Sequence, residues 1–192
     1  MLTLIAGLIL FLGVHSIRIV ADNWRTRQIA RLGEMTWKGV YAVIASIGFV
    51  LIVWGYGEAR TAPIVLWNPP VWTRHLAALL VLVSFILVAA AIAPQTRMKP
   101  AVGHPMLAGT KLWALAHLLA NGTVADVLLF GGFLAWAVVN FIASRKRDRR
   151  AGTVYIKGPI TRDLMAVAAG VVLWWVFAFY LHASWIGVRP FV

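Results

Sequence analysis

Five stretches of this chain carry no Asp, Glu, Lys or Arg over lengths that match the hydrocarbon core of a bilayer: residues 1–17, 39–57, 75–96, 127–144 and 164–188. A membrane-crossing helix needs about 20 apolar residues, with a range near 17–25. Lipid offers the backbone no hydrogen-bond partner, so such runs close their own bonds as helices. A sixth stretch, 104–120, is weaker because Lys111 interrupts it. The first run is read as a retained span and not as a signal peptide. Nothing basic precedes it, and Arg18 follows it.

Composition agrees. Of 192 residues, 61% are hydrophobic and 12% charged, where a soluble domain carries about 25% charged. That excludes a soluble globule, a coiled coil and a disordered chain. At this length one domain, 1–192, is expected. The chain has no cysteine, which excludes disulfides, thiolate-held zinc or iron–sulfur centres, cysteine haem ligation and a cysteine nucleophile. Net charge is +12. Its cations sit between apolar runs, so the expected partner is a bilayer with anionic head groups on the cytoplasmic side, not nucleic acid.

Loop charges choose the orientation. With six crossings and the N-terminus outside, all of the 18 basic residues except Arg60, Arg74 and Arg189 fall on the cytoplasmic side. With five crossings the basic stretch from Arg145 to Arg162 would oppose that from Arg18 to Lys38. The expectation is therefore an all-α polytopic membrane bundle of six transmembrane helices, the fourth short, with both termini on the periplasmic side.

Boundary residues fit this frame. Asn121-Gly122 signals a turn, and Thr123 with Asp126 resembles a helix N-cap with an acidic first turn. Trp37, Trp54, Trp72, Trp136 and Trp185 fall near expected boundaries, as an aromatic belt does. Gly131, Gly132, Ala135, Ala166 and Gly170 offer small surfaces for close helix packing. Residues 24–34 read as a basic interfacial helix. Lys111 is expected to snorkel inward, with Asp126 serving its own helix start.

The ionisable groups inside the apolar runs are mainly His15, His75, His104, His117 and His182. Buried ionisable groups in lipid are costly and mark function by default. Five histidines without cysteine suggest imidazole ligation of haem or a metal. His104 and His117 stand about 20 Å apart along one helix, so they are not two ligands of one centre. Matching depths give an outer pair, His75 with His117, and an inner pair, His15 with His104; His182 is a spare at outer depth. Trp113 and Gly109 share a face with His117, where an aromatic stacks and a glycine lets a flat ring approach. Asn121 is placed to hydrogen-bond the imidazole, and Arg74 to meet a propionate. There is no GxSxG, phosphate loop or HExxH.

Several blocks carry a family resemblance: Gly13-Val14-His15-Ser16, Trp54-Gly55-Tyr56-Gly57, Arg74-His75-Leu76, and above all the run from His104 to Gly109 with that from Leu112 to Gly122. The chain resembles the NnrU family of bacterial membrane proteins over residues 1 to about 150. The resemblance implies an inner-membrane protein linked to denitrification and nitric oxide metabolism. That family is in turn similar to 15-cis-zeta-carotene isomerase, a membrane haem-b enzyme acting on a polyene. The likeness implies that His117 is a haem ligand, with a second histidine matching His15, which differs from the pairing by depth. A cysteine used there in a ligand switch is replaced here by Ala114.

Three functions are therefore expected in competition. The first is a haem-b protein of nitrogen-oxide respiration, with a lipid-soluble or redox partner. The second is a haem-dependent cis–trans isomerase. The third is a cofactor-free transporter or assembly factor.

Overall fold

The computed structural model describes residues 1–191, and among them the chain is helical, with no strand beyond an isolated bridge between Val65 and Thr123. Eight helices follow in order: α1 Leu2–Val20, α2 Asp22–Leu32, α3 Glu34–Thr61, α4 Val71–Ile92, α5 Met98–Val102, α6 Pro105–Ala120, α7 Val124–Ala151 and α8 Ile160–Ile186. Helix α7 holds a π-helical turn at Val127–Gly131, and α8 ends in a π-helical stretch at Phe177–Ile186.

Among the described residues, α1, α3, α4, α7 and α8 are long and apolar enough to cross a membrane. The sixth stretch does form a helix, but α6 has 16 residues, about 24 Å against a core of about 30 Å. Only 11% of the most apolar window of α8 is buried. Apolar helices that turn most of their surface outward need lipid around them. The chain is a multi-pass membrane protein.

The chain divides into two compact units, Met1–Trp67 with Thr123–Trp136, and Asn68–Gly122 with Ala137–Val192. In the first, α1 and α3 run antiparallel along a glycine seam. A Cβ on Gly7 would stand 2.6 Å from Ile52 N, and one on Gly48 2.7 Å from Phe11 N; one on Gly55 would strike Leu4 N. Absent side chains let the two backbones touch. The start of α7 is fixed by a capping box: Asp126 N donates to Thr123 Oγ1, and Thr123 N donates to Asp126 Oδ2. Such a cap contributes about 1 kcal/mol. Tyr56 donates its hydroxyl to the second Asp126 oxygen at 2.6 Å.

The second unit is built around α4. Ser84 Oγ donates to Gly109 O at 2.8 Å, and Trp174 Nε1 donates to Ala78 O at 3.1 Å. A Cβ on Gly170 would stand 2.5 Å from Ile86 Cα. Ala78 lies before Ile86 on α4 while Trp174 follows Gly170 on α8, so these two helices are antiparallel. Asp163, buried near the start of α8, accepts from the backbone N–H groups of Arg97 and Met98 and caps α5.

Helix α6 also pairs antiparallel with the last turns of α7. His104 Nε2 lies 2.8 Å from Asp148 Oδ2, and the Lys111 ammonium lies 3.7 Å from the centre of the Phe141 ring. Seven residues forward on one helix thus meet seven residues back on the other. Lys111 is half-buried against this ring.

Helix α2 covers most of the expected interfacial segment and buries no residue. Trp136 departs from the boundary position expected for it: it lies near the middle of α7, and its indole nitrogen is buried.

Candidate functional site

Each histidine is placed by its helix, and its hydrogen bonds decide which ring nitrogen carries the proton. His117 stands in the last turn of α6, half-buried. Its Nδ1 lies 2.8 Å from the main-chain oxygen of Trp113, one turn back. A carbonyl only accepts, so Nδ1 is the donor and Nε2 bears the lone pair of the neutral ring. The Trp113 ring lies 5.2 Å from the imidazole at 50°.

Two expectations around His117 are corrected. Asn121 does not address the imidazole; its Nδ2 donates to the His117 carbonyl at 2.8 Å, beside its own backbone N–H, which donates to the same oxygen at 2.9 Å and closes the helix end. Gly109 does not clear space for a flat ring. A Cβ there would meet Ser84 O at 3.0 Å and Val88 Cγ2 at 3.1 Å, so the glycine serves the contact with α4.

His15 in the first unit repeats the donor pattern. Its Nδ1 lies 2.6 Å from Phe11 O, again one turn back, which leaves the lone pair on Nε2. Three rings enclose it: Phe11 stacked at 4.2 Å, Tyr41 edge-on at 5.2 Å and Trp136 edge-on at 5.9 Å. The Trp136 indole N–H is buried without an acceptor among the described residues. Sequence reading missed Tyr41 and Trp136 as neighbours of His15 because the contacts join separate helices.

His104 is different. Its Nε2 donates to Asp148 Oδ2 at 2.8 Å, and the Tyr155 hydroxyl donates to the same oxygen at 2.6 Å. The rings of Phe141 and Tyr155 stand edge-on to it at 6.1 and 6.4 Å. Burial first, and then the Asp148 carboxylate, push the Tyr155 phenol up to about 12 from its ordinary 10.0. With Nε2 bound to a carboxylate, His104 acts as the clasp between the start of α6 and the end of α7. Neither Asp148 nor Tyr155 was singled out from sequence; both lie more than 40 residues from His104.

His75 is exposed on the first turn of α4, with Arg74 beside it, also exposed. The Ser84–Gly109 contact sets the register of α4 and α6. Counting nine residues back from Ser84 and nine on from Gly109 puts His75 at the level of the end of α6. His182 Nδ1 lies 2.7 Å from Val188 O at the end of α8.

Among the described residues no group of three or more His, Cys, Asp or Glu is gathered to hold a metal ion. His15 and His117 share one pattern, Nδ1 anchored on the main-chain carbonyl one turn back.

No match is found among curated proteins, nor among solved structures. The family model described as NnrU protein matches residues 3–190. The chain belongs to the NnrU family.

Proposed function

We propose that this protein is a b-type haem protein of the bacterial inner membrane, serving denitrification or nitric oxide metabolism. His117 is an axial ligand, and an imidazole from another membrane helix completes the pair. One observation carries the reading: Nδ1 of His117 is held by the carbonyl of Trp113, which fixes the ring and leaves the lone pair on Nε2. A ligating histidine characteristically anchors its other ring N–H in this way.

The residues fit the group. The porphyrin supplies the in-plane nitrogens, so one or two imidazoles suffice. His15 presents the same lone-pair nitrogen in its own unit, and His75 lies level with His117 along the α4–α6 pair. Those two are the candidates for the second ligand. His104, with Nε2 on Asp148, is set aside. Trp113 gives the imidazole a flat apolar flank, and Arg74 is the residue to meet a propionate. When bound, haem supplies a one-electron iron centre that accepts small ligands. The chain's own part is to orient the imidazole and to exclude water with apolar helices. A haem-dependent isomerase is the alternative reading; the position that resembles its ligand-switching cysteine is Ala114, buried and without a ligating atom, which favours the first reading.

The topology we read is six crossings with both termini periplasmic, in a single domain over 1–192. Its support is the antiparallel course of α6 against the end of α7, together with the loop charges. A short α6 flanked by longer helices is screened from mismatch by its neighbours.

The test is an optical spectrum of protein purified from haem-replete cells. Reduction should give a Soret band with sharp α and β bands. The alanine variants H15A, H75A and H117A then assign the ligands. A colourless wild-type protein refutes the reading and leaves a cofactor-free transporter or assembly factor.

A further inference from the structure

The seam between α6 and the last turns of α7 holds one carboxylate, Asp148, against two cations, Lys111 and Arg145. Asp148 already accepts from His104 and Tyr155. Lys111 lies about two turns into a helix with no other Asp, Glu, Lys or Arg, and it is half-buried. Its ammonium faces the Phe141 ring at 3.7 Å and makes no hydrogen bond or ion pair among the described residues.

Arg145, one turn beyond Phe141, rests against Gly103. A Cβ at Gly103 would strike the guanidinium and stand 3.1 Å from Arg145 Cδ and 3.2 Å from Cζ. The glycine clears the niche that the arginine fills. Arg145 acts on Asp148 and Tyr155 only through longer-range charge attraction, with no hydrogen bond or close ion pair among the described residues.

Four-residue spacing sets Phe141 and Arg145 on one face of α7. Helical side chains lean toward the N-terminus, so Lys111 leans toward the Gly103 end. Two cations therefore share one end of one seam. A lone cation–π contact is weaker than the cost of desolvating an ammonium. An anion in the seam would supply the difference.

The geometry points to a binding site for the phosphodiester head group of an anionic phospholipid, held by Lys111 and Arg145. Three features favour a lipid over a free anion. Lys111 projects from an apolar helix of a membrane protein. Val138 and Ile142, both exposed, run along α7 beside the seam and offer an acyl chain its apolar track. Exposed Lys146, Arg149 and Arg150 draw anionic lipid to this end.

The experiment follows the melting temperature of the purified full chain in neutral detergent with phosphatidylglycerol, phosphatidylcholine or inorganic phosphate. Binding stabilises by mass action and yields an apparent affinity. Phosphatidylglycerol should stabilise saturably, and the other two should not. K111M and R145Q should each weaken that affinity by about tenfold or more, as loss of a hydrogen bond to a charged group does. R150Q should cost no more than about fivefold, the worth of a diffuse surface charge. K111R should keep binding, which carries the test if K111M fails to fold. Equal losses in K111M, R145Q and R150Q overturn the site, as does stabilisation without saturation. Equal stabilisation by inorganic phosphate overturns the lipid assignment.

Discussion

Nδ1 of His117 lies 2.8 Å from the main-chain oxygen of Trp113, and this contact fixes which imidazole nitrogen carries the proton in the neutral ring. The anchor is backbone, so it survives loss of the indole. W113A should keep the axial ligation and the spectral type of the wild type, while retaining haem about tenfold less tightly for want of the aromatic flank. Haem transfer to apomyoglobin measures the loss. A changed spectral type in W113A would mean that the indole, not the carbonyl, sets the ligand.

The glycine seam of α1 and α3 separates packing from helix propensity. Gly48 touches the Phe11 backbone, whereas Gly13 has nothing within 4 Å of an added Cβ. G48A should destabilise by about 1–3 kcal/mol through overpacking. G13A should be neutral or stabilise by up to about 1 kcal/mol, the helix preference of Ala over Gly. Thermal melting in detergent reads both. Equal effects would show that the backbones do not meet at Gly48.

Tyr155 gives a pH window. Burial and Asp148 raise its phenol from 10.0 to about 12, so the folded state favours the protonated form. The resulting stability is full below pH 10 and is lost as pH rises from 10 to about 12. Y155F should lose less stability than the wild type across that window. Tyrosinate absorbance and melting temperature against pH check it; parallel wild-type and Y155F curves would contradict it.

Topology has a direct test because the chain has no cysteine. Arg27 and Ala151 are both exposed. With α6 crossing the bilayer, R27C and A151C should react with an impermeant maleimide from the same side. Labelling from opposite sides would mean that α6 does not cross.

Elements were legible in the sequence where the cause is local. Uncharged runs of membrane length became helices, and Thr123 with Asp126 became the capping box because its bonds span three residues. The signal fails where the partner is distant. Gly109 and Asn121 were assigned to the imidazole because both share its helix, yet Gly109 answers to Ser84 and Asn121 to a helix end. His104 looked like a ligand until Asp148 came to it from another helix. The seven-residue spacing of Gly48 and Gly55 did carry the α1–α3 seam in plain view, as two small positions on one helical face.

An imidazole on α6, His117, is proposed to carry an iron porphyrin. A pyridine haemochromogen assay of wild type and H117A, purified side by side from haem-replete cells, addresses it most directly. Haem b at about one per chain or a simple multiple is expected in the wild type, with its loss in an H117A protein that still melts cooperatively. Full haem in H117A, or none in the wild type, would contradict it.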